Sequence, residues 1–316
     1  MNSERSAMLP ERIHYLDVLK GLLIIVVVLE HIHYTTTSLC GFVDVGPSWK
    51  FFSMIENYAI VPFFMPCFFV VTGLCSNFEK EFTSFVKKNV LTMLWPSLVL
   101  TLSGMWFIWA MFFSKLIYWI LNKYVRPPNV KFFVLLLLAF VGCLLDHSVF
   151  GNFLRKWYLS HAFGFCIFIY LGAYLKPFVL KKQYLFIPLL VYSIIVIACY
   201  VYGYKLPSLF LKYNVSLSEV PFHLLLAVSG SLGALFISKL IDRNFIIEFL
   251  GRNSLVIFLT HVEVMKLVVK FFPGVHSNLH SGFTYWIILL LTLLICSGLV
   301  FLLNSKSLKW LVGKFD

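Results

Sequence analysis

Ten apolar stretches of about twenty residues, near 16–35, 58–76, 86–103, 105–122, 132–148, 158–175, 184–203, 221–240, 252–271 and 284–304, constrain this 316-residue chain more than any other feature. A helix of that length crosses ~30 Å of hydrocarbon. In lipid a helix satisfies its own backbone N–H and C=O groups, which an open strand cannot do. The expected fold is therefore an all-α integral membrane protein. It is a polytopic bundle of about ten transmembrane helices forming one domain over residues 1–316. Only 13% of the residues are charged, against ~25% in soluble domains.

The net charge of +12 raises nucleic acid as a partner, but the basic residues are scattered between apolar runs. Anchoring of loops on one side of a bilayer accounts for that scatter better. Seven of the 26 basic residues (Lys50, Arg155, Lys156, Lys205, Lys212, Lys266 and Lys270) fall on one side of the predicted bundle. Lys115 is left inside a stretch, and the remaining eighteen share the side of the two termini. The lipid bilayer is thus the expected partner, with both termini cytoplasmic in a cell membrane. Arg5 and Arg12 precede the first stretch as in a signal peptide, yet that stretch carries Glu30 and His31, so it reads as an uncleaved helix. The seven cysteines are dispersed with no CxxC spacing, which supports neither a disulfide framework nor a metal site.

Three patterns carry potential chemistry. On the first helix, Lys20 and His31 lie about 20° apart in azimuth and ~16 Å apart in height, with Asp17 one turn below Lys20. An Asp17–Lys20 pair at i,i+3 is also ordinary at a helix start. His31 beside Glu30 is less ordinary, because ionisable groups inside a membrane are costly. Imidazole titrates near neutrality and suits a general base. His33 lies ~200° from His31, so the two do not chelate one ion from that helix. The second pattern runs from Pro62 through Met65-Pro66-Cys67-Phe68-Phe69 to Thr72-Gly73, followed by Lys87-Lys88 and Trp95-Pro96. Packing alone also explains such an aromatic run, and Gly73 permits close helix approach. The third is Gly251-Arg252-Asn253-Ser254 leading to His261, which stands ~13 Å above Arg252, close to the height of His31.

Together these patterns resemble the acyltransferase 3 family of membrane O-acyltransferases, most closely its fucose 4-O-acetylase-like branch. Lys20 and His31 match the family's Arg/Lys-x10-His signature. Met65 to Gly73 matches Met-Pro-x-Phe-Phe-x-x-(Ser/Thr)-Gly, Trp106-Phe107-Ile108 matches Trp-Phe-(Leu/Ile), and Gly251 to His261 matches the Gly-x-Asn-Ser-Leu-x-Ile-(Tyr/Phe)-Leu-x-His block. The resemblance implies transfer of an acyl group, usually acetyl, from an acyl-CoA donor to a hydroxyl of a cell-surface glycan acceptor or its precursor. The implied location is a bacterial inner or plasma membrane. Acetyl-CoA is then the donor and no cofactor is held tightly. It implies His31 as the base, with Lys20 positioning the donor or stabilising negative charge and Asp17 orienting it, and Glu30, beside His31 but outside the family pattern, is a further catalytic candidate. His261 then binds the acceptor or helps to shuttle the proton, with Asn253 and Ser254 also on the acceptor, and Arg252, Lys87 and Lys88, placed by topology near the inner face, are suited to the phosphates of coenzyme A.

Two positions depart from the family pattern. Glu30 stands where glycine commonly precedes the histidine, and Thr92 stands where relatives often carry arginine before the proline at position 96. A rival expectation is a transporter of a polysaccharide intermediate or acyl group, which the same family resemblance admits. Repeated halves or paired broken helices would favour it, and the sequence shows neither clearly.

Overall fold

The computed structural model describes residues 13–36, 51, 54–100, 106–146, 158–178, 185–204, 206, 217–272 and 282–315. Among them every regular element is helical. The first helix, α1, covers His14–Tyr34. A π-helical turn at Glu56–Ile60 leads into α2, Phe64–Cys75. Helix α3, Phe82–Asn89, continues through a second π-helical turn, Val90–Leu94, into α4, Trp95–Leu100. There follow α5 (Trp106–Tyr124), α6 (Pro128–Asp146), α7 (Leu159–Leu175) and α8 (Phe186–Val201). Then come α9 (Val220–Ile241), α10 (Phe245–Arg252), α11 (Ser254–Phe271) and α12 (Gly282–Leu303).

Each apolar stretch of the sequence carries helix. Among the described residues three helical runs, Tyr58–Cys75, Val220–Ile241 and Phe283–Leu303, are long and apolar enough to cross a bilayer. The rim of the bundle shows bare hydrocarbon, with Leu137, Ile187, Ile194, Leu290, Leu294 and Phe301 all exposed. In lipid such side chains need no cover.

Local chemistry explains the breaks. Pro96 has no N–H to return to the preceding turn. There the ladder widens, and Trp95 N–H bonds Val90 O, five residues back. Thr92 Oγ1 and Asn89 Nδ2 bond carbonyls of their own helix, at 2.8 and 2.7 Å, on Lys88 and Phe85. Asn244 caps α10 by accepting from Ile247 N–H at 3.0 Å. Asn253 takes a non-helical conformation, so α10 and α11 meet at a bend.

Helix α1 sits in the middle. It packs against α2, α9, α10, α11 and α12, and Val18, Ile24, Val27, Val28 and Ile32 have no exposed surface. Two glycine contacts make the tightest seams. A Cβ on Gly251 would overlap the carbonyl oxygen of Asp17, and one on Gly21 would overlap that of Ile247, so α1 and α10 touch backbone to backbone. Gly73 and Gly172 do the same for α2 and α7. Small residues allow such approach, and dispersion between the two backbones is the gain. Gly251→Ala is expected to destabilise the protein by about 1–3 kcal/mol through overpacking, read as a lower melting temperature in detergent. Gly298→Ala is expected to leave it unchanged, because nothing lies within 4 Å of a Cβ there.

Candidate active site

His31 and His261 meet. Their ring centroids lie 4.8 Å apart with the planes at 87°, edge to face. On α1, His31 Nδ1 is 2.8 Å from Val27 O. On α11, His261 Nδ1 is 2.7 Å from Phe258 O and 3.2 Å from Ile257 O. A carbonyl oxygen only accepts, so each Nδ1 carries a hydrogen, and each Nε2 is left out of these bonds. The Glu30 carboxylate also approaches His31 from the Nδ1 side, at 3.4 Å, which leaves Nε2 open. The His31 side chain is 28% exposed, whereas His261 is enclosed and its Nε2 has no hydrogen-bond partner among the described residues. The side chain of His33 lies outside the described residues.

Aromatic rings extend from this pair across the bundle. The Phe258 ring lies tilted against His261 at 5.8 Å and against Phe107 at 5.0 Å. Phe107 in turn meets Phe68 at 5.6 Å and Phe69 at 5.5 Å. The four segments that match the family signature, far apart in the chain, therefore converge through α1, α2, α5 and α11. Beyond Phe107, Trp106 lies 5.4 Å from His161, a buried histidine at the start of α7. Sequence reasoning passed over His161 because it sits at the end of an apolar stretch, where a polar residue is unremarkable. The preceding Tyr158 has φ +55°, a strained position for a non-glycine residue.

The opposite end of the site, where α1 begins, is basic. Lys20 Nζ lies 2.6 Å from Asp17 Oδ1, with the carboxylate buried and the lysine side chain 28% exposed. Lys239 of α9 is buried here with its ammonium 4.9 Å from the centroid of the Tyr15 ring, a placement the loop count of charges did not foresee. Lys87 and Lys88 are exposed at the end of α3. Arg252 folds back on α10, its Nε donating to Glu248 O at 3.3 Å and its Nη2 lying 4.0 Å from Glu248 Oε2. Asn253 Nδ2 donates to Phe249 O at 2.8 Å, and Ser254 opens α11 two turns below His261. The predicted site residues thus form two groups, the histidine pair with Glu30 and a charged end with Lys20, Asp17, Arg252, Asn253 and Ser254. They are separated by ~16 Å of helix. Among the described residues no three His, Cys, Asp or Glu side chains are grouped to hold a metal ion.

Residues 77–302 match the acyltransferase domain of the acyltransferase 3 family. The chain belongs to that family. No curated protein and no solved structure matches it. The matched segment holds Trp106, Phe107 and the whole Gly251–His261 block, and begins after α2. Lys20, His31 and Met65–Gly73 are outside it, and they join the acyltransferase domain through the contacts of α1 and α2 just described. The family and the apolar helices together make this a membrane acyltransferase.

Outside the apolar stretches, His14 Nδ1 donates to Glu248 Oε2 at 2.9 Å and ties the start of α1 to α10. That hydrogen bond holds the Glu248 carboxyl below the usual carboxylate range, with Arg252 adding to the effect. A lowered folded value means the contribution to stability is complete above the unfolded carboxylate pKa of ~4.3 and is lost as pH falls through the folded value. Between pH 6 and pH 3, on the order of the acid range that titrates carboxylates, the melting temperature of the wild type is expected to fall more steeply than that of Glu248→Gln. Parallel curves would show that the His14–Glu248 contact is not linked to folding.

Proposed function

We propose that this protein is a membrane O-acetyltransferase in which His31 Nε2 acts as the general base. The donor is acetyl-CoA and the acceptor a hydroxyl of a cell-surface glycan or its precursor, as in the fucose 4-O-acetylase-like branch. The observation that supports the reading is the contact of the two rings with both Nδ1 atoms tethered to backbone carbonyls, which leaves the Nε2 atoms as the nitrogens not used by those bonds. Nε2 of His31 takes the proton of the acceptor hydroxyl as its oxygen attacks the thioester carbonyl. The tetrahedral intermediate then collapses, forming the ester. The thiolate of coenzyme A leaves and recovers the proton from the imidazolium. His261 contacts the acceptor, with Asn253 and Ser254 on its path. Lys20, oriented by Asp17, faces the negative charge of the donor, with Arg252, Lys87 and Lys88 available at the same end.

In this reading the chain is a single bundle of about ten spans with both termini in the cytoplasm of a bacterial cell. Coenzyme A approaches from the basic end, and its long flexible arm carries the thioester toward His31. Part of the charge asymmetry behind that orientation rests on Arg5, Arg12, Lys50, Arg155, Lys156, Lys181, Lys182, Lys205 and Lys212, which lie outside the described residues.

The test uses purified full-length protein, labelled acetyl-CoA and a panel of saccharides. His31→Ala is expected to lower the transfer rate by about 10²–10⁴-fold, the usual contribution of a positioned base, while its melting temperature stays near that of the wild type. Unchanged transfer in His31→Ala would overturn the assignment. Translocation of a glycan without ester formation would favour the transporter reading.

A further inference from the structure

The side of the histidine pair away from the basic end carries a small group of polar atoms. The contacts of Asp17 with Gly251 and of His31 with His261 show that α1 and α11 run in the same direction. Both Nδ1 tethers reach carbonyls three or four residues earlier, on the side nearer the helix starts. The two nitrogens of an imidazole direct their hydrogen or lone pair away from one another. Both Nε2 atoms therefore face away from the starts of α1 and α11. One turn further along the helical path of α1, about 40° round from His31, stands Thr35. Its side chain is enclosed, and neither its Oγ1 nor His261 Nε2 has a hydrogen-bond partner among the described residues.

A buried polar atom left without a hydrogen bond is costly. A neutral imidazole with its hydrogen on Nδ1 has an acceptor at Nε2 and no donor there. His31 has that form whenever it acts as a base. An imidazolium at His261 would hold a charge out of water beside the first ring, with no carboxylate paired to it among the described residues. His261 is therefore neutral as well. The rings, 4.8 Å apart, present two acceptors to whatever lies against them. A single alcohol has one hydrogen and satisfies one of the two. Two adjacent hydroxyls satisfy both.

We propose that the acceptor presents a vicinal diol, one hydroxyl donating to His31 Nε2 and its neighbour to His261 Nε2. This rests on the acetyltransferase reading above and names the part of the acceptor that the histidine pair takes. The hydroxyl on His31 gives its proton to Nε2 as its oxygen bonds to the thioester carbon. The thiolate leaves and takes that proton back. The hydroxyl on His261 is not acetylated. It donates to Nε2, and its oxygen accepts from the Thr35 hydroxyl. Adjacent hydroxyls in a gauche relation, cis or trans-diequatorial on a pyranose, can reach two rings in edge contact. A trans-diaxial pair points to opposite faces of the sugar and cannot. His261 is thus a specificity residue, choosing which hydroxyl of a sugar meets the base.

Acetyl transfer is measured with full-length protein, acetyl-CoA and the methyl glycosides of fucose, galactose, glucose and mannose. The glycoside acetylated fastest is then compared with derivatives in which a hydroxyl next to the acetylated one is replaced by hydrogen or by fluorine. Fluorine keeps the size of the group and withholds the donor. At one of the neighbouring positions either replacement is expected to lower kcat/KM by about ten- to a hundredfold, the cost of leaving a buried acceptor unbonded. His261→Phe keeps a ring and removes Nε2. It is expected to lose a similar factor with the parent glycoside and nothing further with the deoxy derivative. Should His261→Phe fail to fold, Thr35→Val is read for the same non-additive loss. Additive losses, or an unchanged kcat/KM for the deoxy derivatives at every neighbouring position, overturn the diol. A fluoro derivative as active as the parent would show that His261 donates, and overturns it too. Binding without turnover is read from the side-chain nitrogen resonances of labelled histidine. A cis-cyclohexanediol with adjacent hydroxyls is expected to move Nε2 of both His31 and His261, and cyclohexanol not to move both. Equal movement with the two alcohols, or none with either, counts against the site. Movement of both by the diol alone, without acetyl transfer to any glycoside, would sink the catalytic reading and spare this one.

Discussion

The backbone contact between α1 and α10 is the constraint on which the rest of the structure depends. Gly251 lies so close to Asp17 O, and Gly21 to Ile247 O, that neither helix can slide or rotate without a clash. That seam fixes α1 in the middle of the bundle at one height. Everything that α1 carries, from the Asp17–Lys20 pair to His31, is thereby set in register with the helices around it. The bend at Asn253 then lets α11 leave α10 and bring His261 beside His31.

A central helix with charges in it survives because protein, rather than lipid, surrounds it. The buried Asp17 carboxylate is answered by Lys20 on its own helix. Higher up, His31 and His261 use the carbonyls of their own helices to occupy one nitrogen each. Those are local hydrogen bonds, available in any helix. They leave the other nitrogen of each ring uncommitted, and that of His261 has no hydrogen-bond partner among the described residues. At the basic end, the Lys115 ammonium lies against the Met93 sulfur and the Phe85 ring.

Much of this was legible in the chain, and the gaps have physical reasons. Hydropathy finds apolar stretches well, and each of them carries helix. It does not see a π-helical turn, so the stretch at 86–103 reads as one span although Val90–Leu94 widens it before Pro96. Nor does it see that 252–271 begins with a bend at Asn253. Helical rise puts His31 and His261 at similar heights from sequence numbers alone, yet rise says nothing about whether two helices are neighbours. Lys239 was counted among loop-anchoring cations because it ends a stretch, and it is in fact buried over Tyr15. His161 lacked any signal beyond being a histidine in an apolar run.

By itself, then, the sequence determined the class of structure and the candidate chemistry. Long apolar runs in lipid must close their own hydrogen bonds, so helices follow from composition and length. The titratable groups that interrupt those runs mark where function is to be sought. Only the tertiary structure decided which of them act together, bringing His31 onto His261 and the Phe68–Phe107–Phe258 rings between the four patterns. It also turned the Arg252 side chain back onto Glu248 of its own helix. The reason is that helix–helix contact depends on shape, above all on where a missing side chain lets two backbones touch, and periodicity along one helix carries no record of its neighbour.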